Sequence, residues 1–129
     1  MKILIVDDNH TTAKLMLSYF DGFADCSMAN SGEEALEAIK HAMEQGDHYD
    51  LICLDIIMPV IDGHETLRTI RELEQSTCNV AKKHSKVIMT SVRDDMKTIM
   101  QSFQQLCDGY LVKPVKRKDL LAKMKEVGL

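Results

Sequence analysis

The sequence predicts a single α/β domain built on a parallel sheet with helices on both faces, and three observations predict it. Short runs rich in Ile, Val and Leu alternate along the chain with segments of helical period, the pattern of repeated strand and helix units. Four of these runs end in a polar group: Ile3-Leu4-Ile5-Val6 before Asp7-Asp8, Leu51-Ile52-Cys53-Leu54 before Asp55, Lys86-Val87-Ile88-Met89 before Thr90, and Tyr110-Leu111-Val112 before Lys113-Pro114. Strand ends in a parallel sheet point to one edge, so these groups would meet there from distant parts of the chain. A length of 129 residues fits one domain.

The elements follow in order. Residues 2 to 6 form the first strand, and Ala13, Met16, Leu17 and Phe20 then fall at i, i+3, i+4 and i+7 on one helical face. Residues 23 to 29 form a second strand with a weaker apolar signal. Ser31-Gly32-Glu33-Glu34 reads as a capping box opening a helix with Ala35, Leu36, Ile39, Ala42 and Met43 on its buried face, and Gly46 ends it. Residues 50 to 54 make the third strand; Met58-Pro59 and Asp62-Gly63 mark a loop before a helix carrying Leu67, Ile70 and Leu73.

The polar stretch Gln75 to Ser85 is longer than a helix-to-strand link requires and reads as a tolerated surface insertion. Residues 86 to 90 form the fourth strand, and Met96, Ile99, Met100, Phe103 and Leu106 a fourth helical stripe. Residues 108 to 112 form the fifth strand, and Leu120, Leu121 and Met124 mark a last, fifth helix. With no internal repeat, low-complexity tract or linker, residues 1–129 are expected to be one unit.

Composition narrows the function classes. No apolar stretch approaches the ~20 residues needed to span a bilayer, and the N-terminus lacks the pattern of a secretory signal, so a cytoplasmic protein is expected. A net charge of −4 argues against a broad nucleic-acid surface. Positive charge does collect in Lys113, Lys116, Arg117, Lys118, Lys123 and Lys125, which reads as the solvated face of the last helix because Asp119 and Glu126 interrupt it. Cys26, Cys53, Cys78 and Cys107 form no C-x-x-C pair and read as free thiols, Cys53 packed and Cys78 in a polar stretch. His10, His41, His48, His64 and His84 show no repeated ligand spacing, so no zinc site is expected.

The polar strand ends suit phosphoryl transfer. Asp7 and Asp8 could cap the first helix, but Asn9 is itself a good cap and would leave both to hold a cation. Mg²⁺ needs only one or two carboxylates plus a phosphate and keeps several waters. Asp55 among two other acids ionises with difficulty unless a cation shares the site, and a carboxylate can attack phosphorus to give an aspartyl phosphate. Thr90 could hydrogen-bond a phosphoryl oxygen. Lys113, held extended before Pro114, an X-Pro position open to a cis peptide, could steady charge building on the phosphoryl oxygens.

Together, Val6-Asp7-Asp8, Leu54-Asp55-Ile56-Ile57-Met58-Pro59 with Asp62-Gly63, Met89-Thr90-Ser91 and Tyr110-Leu111-Val112-Lys113-Pro114 resemble the receiver domain of bacterial two-component response regulators, of the stand-alone chemotaxis-regulator type. The resemblance runs the full length and includes Ala29-Asn30-Ser31-Gly32-Glu33-Glu34-Ala35-Leu36. It implies a doubly wound, flavodoxin-like, five-stranded sheet of order 2-1-3-4-5 with five helices. It implies that Asp55 accepts phosphate from a histidine kinase or phosphotransfer protein, that Mg²⁺ (or Mn²⁺) is held by Asp8 and Asp55 with help from Asp7 and the carbonyl of Ile57, and that Lys113 contacts the phosphoryl group. Thr90 and Tyr110 match a switch pair that changes the face of the fourth helix, fifth strand and fifth helix to control a downstream effector protein, as a monomer or phosphorylation-dependent dimer without nucleic acid or membrane.

Three positions depart from the usual pattern. Ile57 and Val92 are apolar where many relatives carry polar residues that help position water, so slow loss of the phosphoryl group is expected; Ser91 replaces the usual alanine and is still small. Three other readings stay open. One is a phosphatase or hydrolase with an aspartyl nucleophile, although the position two after Asp55 is Ile57 rather than an acid. Another is a phosphorylation-independent pseudo-receiver, which would normally lack part of the acid and lysine set. The last is a receiver excised from a longer regulator with a DNA-binding output domain.

Overall fold

The computed structural model describes residues 1–58, 61–76, 84–92 and 106–129. Along the chain these form β1 (Lys2–Val6), α1 (His10–Ser18), β2 (Asp25–Ala29), α2 (Gly32–Glu44), β3 (Leu51–Asp55), α3 (Gly63–Ser76), β4 (Lys86–Val92), β5 (Gly109–Lys113) and α4 (Arg117–Glu126). The five strands make one sheet of order β2-β1-β3-β4-β5, and every pairing is parallel. This is the doubly wound arrangement the resemblance implied. Met96, Ile99, Met100 and Phe103, expected on a further helix, lie outside the described residues, as do Pro59 and Cys78. The helix α3 runs on through Ser76, so the expected Gln75 to Ser85 link gives its first two residues to the helix.

Side chains alternate across a strand, and this divides the core in two. Leu4 and Val6, Ile52 and Leu54, and Val87 and Met89 pack with Ala35, Ile39, Leu67 and Ile70 beneath α2 and α3. Ile3 and Ile5, Leu51 and Cys53, and Ile88 pack with Ala13, Met16, Leu120 and Met124 beneath α1 and α4. Both faces of the central strands are therefore covered, which is why their sequences are apolar at nearly every position. Each such Val, Leu or Ile contributes about 1.5–3 kcal/mol on full burial. Burial pushes the Cys53 thiol up to about 12, so it stays neutral and serves as a packing group.

Local chemistry sets the helix starts. The Asn9 side chain accepts the Thr12 N–H and opens α1; Ser31 accepts the Glu34 N–H and opens α2. Glu34 reaches back to the N–H of Asn30, one residue earlier than a standard capping box places it. Asp62 accepts the Glu65 N–H and opens α3. Directly after it, Gly63 lies against the end of β3, where an added methyl would collide with the Asp55 carbonyl oxygen and sit 2.7 Å from Ile56 Cα. Its own N–H donates to the Ile56 carbonyl at 2.8 Å.

At the opposite edge of the sheet, Arg71 of α3 donates to the carbonyls of Leu106 and Ser85 and pairs with Glu74 and Asp108. Glu74 in turn accepts the Ser85 N–H, and Asp108 the Val87 N–H. One guanidinium thereby ties α3 to the starts of β4 and β5.

Because the atoms opposing a side chain at position 63 are backbone, Gly63→Ala is expected to destabilise the protein by about 1–3 kcal/mol, the usual cost of overpacking. A urea unfolding curve, compared with that of an alanine variant at an exposed helix position such as Glu37, checks this.

Candidate functional site at the carboxyl edge of the sheet

Strand alternation decides which polar groups meet. The side of the sheet that carries Ile3 and Ile5 in β1 carries Asp7 next; the side that carries Leu51 and Cys53 in β3 carries Asp55. By the same alternation Ile88 leads to Thr90, and Leu111 to Lys113. Asp55 pairs in register with Thr90, and Val6 with Leu54, so Asp7 follows beside Asp55. All four groups share the carboxyl edge on the α1 and α4 side.

The Lys113 ammonium joins them. Its Nζ lies 2.8 Å from Asp7 Oδ2 and 3.2 Å from Asp55 Oδ2. Both carboxylates and the Thr90 side chain are buried, whereas Asp8 is exposed at the rim. Asp7 is not wholly free, because its Oδ1 also accepts the Asn9 N–H at 2.9 Å. Asp55 Oδ1 accepts the Ile57 N–H at 3.3 Å. The Lys113–Pro114 peptide is cis. Beyond it, the Tyr19 hydroxyl at the end of α1 donates to the Val115 carbonyl at 2.7 Å, and Arg117 donates to the Tyr19 carbonyl at 3.2 Å.

Among the described residues, charge at this edge does not balance. Asp7, Asp8 and Asp55 bring carboxylate oxygens within 4.8 Å of one another, and one ammonium is shared between two of them. Burial raises the Asp55 carboxyl from 3.8 to about 6; Lys113 opposes the rise and Asp7 adds to it. Burial works against the Lys113 charge too, but the hydrogen bond to Asp7 and the field of Asp55 overcome it and raise its pKa. Clustered oxygen donors, one of them exposed, could hold a hard divalent cation that would relieve this excess.

Comparison with known proteins bears on this geometry. The model of the response regulator receiver domain matches residues 3–125. The chain belongs to that family. Among its relatives, the transcriptional regulatory protein ResD of Bacillus subtilis is 32% identical over 124 residues, covering 96% of this chain and 46% of the relative. The osmosensing histidine protein kinase SLN1 of Saccharomyces cerevisiae is 30% identical over 122 residues, covering 93% of this chain and 9% of the kinase. The receiver thus spans about half or far less of these curated relatives. The chemotaxis protein CheY4 of Vibrio cholerae superposes with a TM-score of 0.76 at 26% identity, covering 98% of this chain and 97% of that one. A receiver domain protein of Clostridium thermocellum shares the fold, with a TM-score of 0.79 at 24% identity, covering 98% of this chain and 92% of that one.

Of the receiver residues singled out in the sequence, Asp7, Asp55, Thr90 and Lys113 lie together, with Asp8 beside them. Ile57 sits over the site with its backbone N–H on Asp55 and its side chain exposed. Tyr110 lies elsewhere: it pairs with Met89, one step out of register with Thr90, and the residue is 44% exposed. Reasoning from sequence missed Tyr19, whose only signal was a tyrosine beside the apolar stripe of α1, and the Arg71 cluster, whose charges are spread from residue 71 to 108.

The Asp55 shift fixes a sign for stability. Its folded-state pKa lies above the ordinary value, so between 3.8 and about 6 the folded chain binds more protons than the unfolded one. This group's contribution to stability therefore falls as pH rises through that window. In metal-free solution Asp55→Asn should stabilise the protein at pH 7.5 by about 1–2 kcal/mol after allowance for solvent screening. The gain should shrink below pH 5. Thermal melts of both proteins at the two pH values check this, and a pH-independent difference would contradict it.

Proposed function

We propose that the chain is a phosphorylation-switched receiver unit that takes a phosphoryl group from a histidine kinase or phosphotransfer protein onto Asp55 and passes the signal to an effector protein. The observation that carries this reading is the Lys113 ammonium within hydrogen-bonding distance of both Asp55 and Asp7, in a cluster of three carboxylates. An Asp55 oxygen attacks phosphorus while the bond to the donor breaks. Lys113 holds the equatorial phosphoryl oxygens, and the Thr90 hydroxyl, buried on the neighbouring strand, accepts a place beside them. Asp7, Asp8, Asp55 and the Ile57 carbonyl would hold Mg²⁺, which when bound neutralises charge shared between the acids and the phosphoryl group.

Output follows from the same pair of strands. Thr90 turning toward the phosphoryl group opens space beside β4, and the exposed ring of Tyr110 can move into it. That movement alters the surface of β5 and the C-terminal helix α4. The reading covers residues 1–129 as one receiver and leaves catalysis confined to the chain's own phosphorylation and dephosphorylation. A phosphatase is disfavoured because Ile57, with its side chain 57% exposed, stands where such an enzyme would place its general acid.

Incubation with Mg²⁺ and acetyl phosphate should add one phosphoryl group by intact mass. The gain should be removed by hydroxylamine and absent in Asp55→Asn; no gain in the parent overturns the proposal. Ile57, bonded through its N–H to Asp55, and Val92, in register with Lys113, are both 57% exposed and offer no polar side chain to hold a water for hydrolysis. The phosphorylated chain should therefore lose its group slowly, and Val92→Glu with Ile57→Asn should shorten its lifetime several-fold, as followed by mass against time.

A further inference from the structure

We propose that the groove between α1 and the Pro114–Val115 segment seats the organic leaving group of a small phosphodonor, giving preference to acyl phosphates with a short aliphatic chain over acetyl phosphate. The inference rests on Asp55 being the phospho-acceptor. The groove holds about 310 Å³ and is lined by Leu15, Met16, Val92, Pro114 and Val115, with Thr12 and Lys113 as its two polar lining residues. That volume lies at the lower end of small-ligand sites and has room for a chain of a few carbons.

Its position ties it to the site. Val92 lies two residues beyond Thr90 on the same strand face and pairs in register with Lys113. Lys113 thus belongs to both places: its ammonium reaches Asp55 at 3.2 Å, and the residue is part of the groove lining. A phosphoryl group held by that ammonium keeps its remaining substituent within reach of the apolar lining. Leu15 and Val92 are 52% and 57% exposed and would gain cover. The far wall is braced by the Tyr19 hydroxyl on the Val115 carbonyl and by Arg117 on the Tyr19 carbonyl, so little ordering is needed on binding. Charge and polarity match a molecule with phosphate at one end and hydrocarbon at the other.

In the step itself, an Asp55 carboxylate oxygen forms the new O–P bond, the P–O bond to the acyl group breaks, and the carboxylate leaves with the electron pair. No proton or further reactant is required. Acetyl and butyryl phosphate release carboxylates of nearly equal acidity, so a difference in rate reports contact of the two added methylenes with the groove.

The test is the second-order rate constant for phosphorylation of the full chain in Mg²⁺, by intact mass, with each donor below saturation. Butyryl phosphate is expected to react about tenfold faster, given the burial of two methylenes. The ratio should fall toward one in Leu15→Ser and persist in Leu15→Met. Val92→Ser reads the same ratio from the opposite wall. A ratio of one or less in the parent, or one unchanged in both serine variants, overturns the inference alone and leaves the groove to a docked protein. Phosphorylation by neither donor overturns the phospho-acceptor reading and the inference with it.

Discussion

The sharing of one ammonium between Asp7 and Asp55 is the interaction around which the carboxyl edge is organised. At 2.8 and 3.2 Å, Lys113 contacts both buried carboxylates and fully neutralises neither. Asp8 adds a third negative group at the rim. The balance is consequently sensitive to any charge that arrives: a cation would release Lys113 from part of its task, and a phosphoryl group on Asp55 would give it a stronger partner. A site in which the resting state leaves an acid hard to ionise is one that responds to binding.

Close packing and local hydrogen bonds hold these groups in place. The strands that carry Asp7 and Asp55 are buried on both faces, and Gly63 lets α3 begin in direct contact with the β3 terminus. Asn9 opens α1 three residues beyond β1, and Asp62 opens α3 beyond the loop that follows β3; each accepts a first-turn N–H locally. Tyr19 and Arg117 join the end of α1 to the segment after Lys113. The lysine therefore approaches from a strand at the sheet edge whose continuation is anchored to a different helix. At the far edge, Arg71 performs the corresponding task for β4 and β5.

Edge strands behave differently. In β5 exposed and partly buried residues alternate, with Tyr110 and Val112 outward and Leu111 packed toward α1 and α4. The centre, buried on both faces, holds Asp7 and Asp55, and the partly covered edge carries Lys113 and the exposed Tyr110.

Much of this was legible before any coordinates. Apolar runs of three or four residues ending before Asp7, Asp55, Thr90 and Lys113 mark strands of a parallel sheet, whose pairing sends their ends to one edge. Helical spacing located Ala13, Met16, Ala35, Ile39, Leu67, Ile70, Leu120 and Met124 in the core, where they are buried. Strand ends shifted by a residue, with Asp55 and Lys113 inside β3 and β5, because pairing to a neighbour extends a strand past its last apolar side chain. Other features belong to the tertiary structure alone. The division of Lys113 between two acids, the Asp7 bond to the Asn9 N–H, the Tyr19 brace and the Arg71 cluster all join residues whose separation in the chain carries no periodic signal, or whose competing partners can be ranked only by distance and burial. Period and polarity specify which way a side chain faces; which of several charges it meets depends on angstroms set by packing.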